Sequence, residues 1–153
     1  MKKKWYLIAI IALLIIIQLF RIDKTNPPIE IAKDFITITN PPADIAKMIK
    51  TSCYDCHSHE SVYPWYSNIA PVSWFLKGHI NEAREHVNFS EWANYPLDKV
   101  KRKLDACSED IEKGDMPLGS YTMIHTNAKL NAEQSKKLSD WFENESKKAV
   151  TIH

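Results

Sequence analysis

Hydrophobic positions along this chain fall into two unlike regimes. From Trp5 to Phe20 the side chains are apolar with one polar interruption, Gln18. Counting Lys4, Arg21 and Ile22, whose long side chains reach an interface, the run approaches the ~20 residues that cross a bilayer as a helix. It predicts a single N-terminal transmembrane helix over residues 1–22. Lys2, Lys3 and Lys4 precede the run, so the positive-inside rule sends the rest of the chain across the membrane. Gln18-Leu19-Phe20-Arg21 offers no small-residue cleavage site, and an uncleaved anchor is expected over a cleaved signal peptide. No cysteine lies near position 20 to carry a lipid, the first being Cys53.

Past the run, apolar residues recur at helical spacing. Residues 23–42 carry Asn26-Pro27-Pro28 and Asn40-Pro41-Pro42, proline pairs that favour extended backbone and predict a tether. Within it Phe35-Ile36-Thr37-Ile38-Thr39 alternates like a short strand. Residues 43–153 form the expected folded unit. Ile45, Met48 and Ile49 predict a short helix leading into Cys53. Pro71 suits the first residue of the next helix, whose apolar face carries Val72, Phe75, Leu76, His79, Ile80 and Ala83. Leu97, Val100, Leu104, Cys107 and Ile111 mark a third helix, stopped by Gly114. Asn131, with Gln134 three positions on, makes a capping box for a last helix that turns Leu138, Trp141 and Phe142 inward. The expected fold class is mainly α.

Composition narrows this further. Three glycines in 153 residues argue against a turn-rich all-β fold, and 44% hydrophobic with 25% charged residues is ordinary for a globular chain. The net charge of +1 is uneven: apart from Lys2, Lys3, Lys4 and Arg21, 16 basic residues face 19 acidic ones. That balance gives no reason to expect nucleic acid as a partner.

The chemistry concentrates in Cys53-Tyr54-Asp55-Cys56-His57. Two thiols three positions apart suit the two vinyl groups of a haem, and the adjacent His57 suits the proximal axial position on its iron. Thioether formation belongs outside the cytoplasm, in line with the predicted export. Other uses of the pair fit less well. A structural zinc site wants four ligands, and Cys107 is the only further cysteine. A thioredoxin-like pair wants a βαβ context, and no convincing strand pattern precedes Cys53. A Cys53–Cys56 disulfide leaves His57 without a role. For the sixth ligand Met116 is the first choice, since it lies in a loop before Pro117 where packing alone explains less; His125 and His79 are the alternatives, and Met123 a more remote one. His59, His86 and His153 are expected to face solvent.

Nine of the sixteen aromatic residues fall between Tyr54 and Tyr95, enough to keep a haem edge dry or simply to build a small core. Cys107, in the apolar stripe of its helix, is expected to be buried and inert. Lys99, Lys101, Arg102 and Lys103 make either a docking patch for an acidic redox partner or the solvated face of a helix.

The chain resembles a bacterial family of membrane-anchored haem-binding domains related to small monohaem c-type cytochromes. The likeness is carried by Cys53-Tyr54-Asp55-Cys56-His57-Ser58, by Tyr63-Pro64-Trp65-Tyr66, and by Ile69-Ala70-Pro71-Val72-Ser73-Trp74 with His79-Ile80. Asn88-Phe89-Ser90-Glu91-Trp92 and Met116-Pro117-Leu118 with Tyr121 and His125 complete it. It implies a small cytochrome-c-like helical domain around one covalent haem c. It also favours Cys53, Cys56 and His57 as the haem anchors, and Met116 as the distal ligand. The expected function is one-electron transfer in the periplasm from a single-pass position in the inner membrane. Redox proteins or quinol-linked complexes would be the partners, besides the membrane itself. A ligand-binding or peroxidase-like haem protein with an open sixth position is the alternative, and a haem-free module built on the cysteine pair the third.

Overall fold

The structure is a computed structural model and describes residues Lys2–Thr151. All regular elements among the described residues are helical. They are α1 (Lys2–Ile16), α2 (Phe35–Thr39), α3 (Ala43–Ser52), α4 (Tyr54–His57), α5 (Val72–His86), α6 (Leu97–Lys113), α7 (Gly119–Thr122) and α8 (Ala132–Thr151), joined by short 3₁₀ turns. The mainly α expectation holds. His153, expected to face solvent, lies outside the described residues.

The N-terminal expectation needs correcting. No helix among the described residues is long and apolar enough to cross a membrane. α1 has 15 residues, about 22 Å of helix against the ~30 Å hydrocarbon core. The chain then tightens into a 3₁₀ turn at Ile17–Leu19. Gln18 explains why the run stops there. Its amide exchanges two hydrogen bonds with the backbone of Ala70: Nε2 donates to the carbonyl at 3.0 Å, and Oε1 accepts from the N–H at 2.9 Å. The Trp74 indole N–H donates to the Phe20 carbonyl at 2.9 Å. The one polar residue of the run thus ties it to the helical domain. The membrane as a partner and the single-pass inner-membrane, periplasmic placement rested on that span, and both fall with it.

Residues 23–42 run along the domain. Asn26 Nδ2 donates to the Ser61 carbonyl at 2.8 Å, and the Pro28 carbonyl lies 3.2 Å from His59 Nδ1. The segment expected to be a strand is α2, because Asp34 caps it: its carboxylate accepts the Ile36 N–H at 3.0 Å. Capping turns Phe35 into the core, where it is fully buried. Its ring meets Trp92 at 4.6 Å, Phe89 at 4.9 Å and Phe142 at 5.9 Å between centroids. Tyr54 stacks on Phe89 at 5.4 Å and donates its hydroxyl to both carboxylate oxygens of Asp34, so the capping residue is satisfied on two sides.

α6 and α8 form the largest helix pair. Leu104 and Ile111 of α6 meet Leu138 and Phe142 of α8 in one cluster with Ile45 and Ile49 of α3. Helix ends follow the sequence signals. Gly114 closes α6 with φ 77°, a left-handed conformation open to glycine. Asn131 and Gln134 hydrogen-bond reciprocally at 2.9 and 2.8 Å as the capping box of α8. α5 departs from expectation: Ile80 is buried, but Val72, Phe75 and His79 are exposed.

Candidate functional site

Cys53 ends α3, and the single turn of α4 follows at once, with the His57 N–H donating to the Cys53 carbonyl at 2.9 Å. That turn sorts the five-residue motif. Positions i, i+3 and i+4 share a helical face, so Cys53, Cys56 and His57 all line one cavity of about 720 Å³. Tyr54 points the other way into the core. Asp55 turns sideways, accepting the Val62 N–H at 3.2 Å and the Tyr121 hydroxyl at 2.6 Å.

His57 is oriented from behind. Its Nδ1 lies 3.0 Å from the Ala83 carbonyl and 3.2 Å from that of Val87. Both are acceptors, so Nδ1 carries the proton and the Nε2 lone pair is free. Burial, the largest influence, holds its pKa below the ordinary value, opposed by those two carbonyl contacts. A neutral imidazole with a backbone-anchored N–H is the form that ligates metals. Nε2 has no protein partner, and no buried side-chain nitrogen or oxygen among the described residues lacks one, so Nε2 opens to the cavity.

The two thiols lack the lowered pKa of a thioredoxin-like redox pair. Burial, and then the neighbouring Cys56, push Cys53 up to about 12; burial, and then Asp55, push Cys56 up to about 11. Both are protonated at neutral pH, whereas redox-active thiols have depressed values. They are free thiols, as is Cys107. Cys107 is half-buried, and burial raises its pKa, which keeps the thiol unreactive as expected; it also lines the same cavity.

Met116 reaches the cavity through the way α6 ends. Beyond Gly114, the Asp115 and Met116 N–H groups both donate to the Asp110 carbonyl, at 2.9 and 3.1 Å. This folds the loop back so that Met116, Pro117 and Leu118 line the cavity. His79 reaches it from α5 as an exposed residue. His125 does not: its Nε2 lies 2.9 Å from the Tyr66 hydroxyl and its ring stacks on Tyr121 at 4.4 Å. His59, expected in solvent, is buried, with Nε2 2.8 Å from Asn88 Nδ2, while His86 is exposed as expected.

A family model described as a haem-binding domain matches residues 12–144. The chain belongs to this haem-binding domain family. Neither the curated proteins nor the solved structures compared with it give a match. For a haem-binding domain the cavity is apt. Its size falls in the ~300–1,000 Å³ range of cofactor sites, and Ile111, Leu138 and Phe142 close it with buried apolar surface. A free imidazole lone pair and a thioether sulfur, the donors haem iron takes in Met/His ligation, both line it. The residues fit the group.

Two contributors to the cavity were not assigned to it from sequence. Tyr121 lines the cavity and bridges to Asp55, tying the loop after Met116 to the cysteine motif. A tyrosine in a helix as short as α7 gives no spacing signal of such a bond. The basic cluster did give one. Lys99, Arg102 and Lys103 stand at i, i+3 and i+4 and share the cavity wall, while Lys101 faces away and pairs with Asp105 at 2.5 Å.

Proposed function

We propose that this haem-binding domain carries single electrons on one covalently attached haem c, with His57 as proximal and Met116 as distal ligand. The observation that carries the reading is the imidazole of His57. It is held neutral and aimed at the cavity by the Ala83 and Val87 carbonyls, beside two protonated thiols on the same helical face. When bound, haem supplies an iron that alternates between Fe(III) and Fe(II), one electron at a time.

Cys53 and Cys56 would hold the group through one thioether bond each, the thiol hydrogen passing to the vinyl carbon. His57 keeps its ring fixed through Nδ1–H, which makes Nε2 a better donor and limits reorganisation on electron transfer. Met116 offers a soft sulfur that favours Fe(II) and raises the potential. Ile111, Leu138 and Phe142 exclude water from the closed end of the cavity. With His57 and Met116 both holding the iron, no position would be left for a substrate, and the domain would act as a carrier.

The test is a potentiometric titration of the haem-loaded full chain, combined with exposure of the reduced form to carbon monoxide. A single reversible one-electron wave and no carbon monoxide adduct are expected. A reduced form that binds carbon monoxide readily means an open sixth position, and rejects the carrier reading in favour of a ligand-binding or peroxidase-like one.

A further inference from the structure

The cavity that holds His57 is amphiphilic along its length. Its closed end is built from Ile111, Leu138 and Phe142, at 5%, 0% and 0% exposure. Its open end lies between α5 and α6, where all of its Lys and Arg side chains gather: Lys99, Arg102 and Lys103, all from α6. Three residues at i, i+3 and i+4 stand on one helical face, so their charges project together.

The existing contacts of these side chains leave their charges available. Arg102 pairs with Asp98 at 2.7 Å on a solvent-exposed surface, an interaction of small worth that yields to a better partner. Lys103 donates to the His86 carbonyl and lies 4.4 Å from the Tyr95 ring, which ties the two walls of the mouth together. Lys99 has no partner among the described residues. On the facing wall stand His79, Glu82 and His86; Asp110 lies about 12 Å further along α6 from Arg102. The mouth is therefore basic on the α6 side. Lys103 stands one helical turn from Cys107, which also lines the cavity, and Lys99 stands two turns, about 12 Å, from it.

A ligand suited to this cavity is apolar at one end and carries anions at the other. Iron protoporphyrin has that shape: an apolar macrocycle whose vinyl edge lies opposite two propionate carboxylates. The geometry points to the α6 mouth as the propionate site, with Lys99 and Arg102 taking the carboxylates and Lys103 bracing the rim. This assignment rests on haem occupying the His57 cavity. It fixes which way the porphyrin enters: vinyl edge toward Cys53 and Cys56, carboxylate edge toward the α5–α6 mouth.

The test compares two probes on the full chain isolated without haem: iron(III) protoporphyrin IX and its dimethyl ester, which keeps the macrocycle and removes both charges. Binding is followed by the Soret band and by quenching of tryptophan fluorescence. The diacid should bind about fivefold or more tightly than the diester, the scale of two exposed ion pairs. The double variant Lys99→Ala/Arg102→Ala should lose that preference and leave diester affinity unchanged. Lys99→Arg/Arg102→Lys should keep it, and added salt should shrink it in the natural chain and in this variant alike. Both residues are exposed, so their loss leaves the fold intact. Equal affinities for the two porphyrins, or a preference that survives the double alanine variant, overturns the assignment while haem binding in the cavity stands. Failure of both porphyrins to bind overturns the cavity reading, and the propionate site with it.

Discussion

Replacing Tyr121 with Phe removes one oxygen and nothing else, which makes it a clean probe of how the site is held. The hydroxyl donates to Asp55 Oδ2 at 2.6 Å, a charge-assisted bond between the loop after Met116 and the cysteine motif. The stacking of the ring on His125, with centroids 4.4 Å apart, is open to Phe as well. Hydrogen bonds to charged groups contribute about 1.5–3 kcal/mol net, and the half-buried setting points to the lower end, about 1.5 kcal/mol. For a chain of this size that is a fall in melting temperature of roughly 3–6 °C. The assay is a double-mutant cycle by chemical denaturation, with Asp55→Ala as the second change and equal haem content in all four proteins. With Asp55 gone, Tyr121→Phe should cost less than about 0.5 kcal/mol, the limit of additivity for independent sites. A Tyr121→Phe cost that is the same in both backgrounds, or absent in the natural one, refutes the proposed link.

Other perturbations follow from the same geometry. Phe142→Ala empties a fully buried ring position that borders both the core and the cavity; it should cost about 3–5 kcal/mol in denaturant unfolding, and a loss under 1 kcal/mol would mean that the two helices repack. The pKa of His57 is depressed in the folded chain, so without haem the unfolded chain binds more protons below about 6.5. Stability should therefore decline as pH falls from 6.5 toward the folded value, with a slope of at most ~1.4 kcal/mol per pH unit. His57→Gln should flatten that slope, and an unchanged slope in a pH series of denaturant melts would contradict the buried neutral imidazole. Met116→Ala should remove any thioether-to-iron charge-transfer band and lower the potential, with haem still attached. If band and potential both persist, His79 becomes the candidate, since it also borders the cavity.

Much of this was legible in residue spacing. Gly114 at the end of α6 and the Asn131–Gln134 box at the start of α8 act through local backbone chemistry, and both ends came out as read. Cys53, Cys56, His57 and Met116 border one cavity because a helical turn and a loop reversal, both local, bring them there. What local pattern could not carry was the partner of a polar group. Gln18 looks like a blemish in an apolar run until Ala70 is seen to bond both ends of its amide. Asp34 is a residue type that caps helices, but the alternation at 35–39 outweighs that signal in the reading, and nothing local shows that Asp34 also takes the Tyr54 hydroxyl. His59 reads as exposed because Asn88 and Pro28, which surround it, lie 29 and 31 residues away. The basic cluster is the intermediate case. Its i, i+3, i+4 spacing was visible, but the cavity it borders depends on α5, which the sequence cannot set opposite α6.

The most direct test of the central claim is a pyridine haemochrome spectrum of the full chain, produced in a host that matures c-type cytochromes, with acid–acetone extraction alongside. A c-type spectrum is expected, with haem that stays with the protein through extraction. Haem that extracts freely, or none at all, would contradict covalent attachment at Cys53 and Cys56.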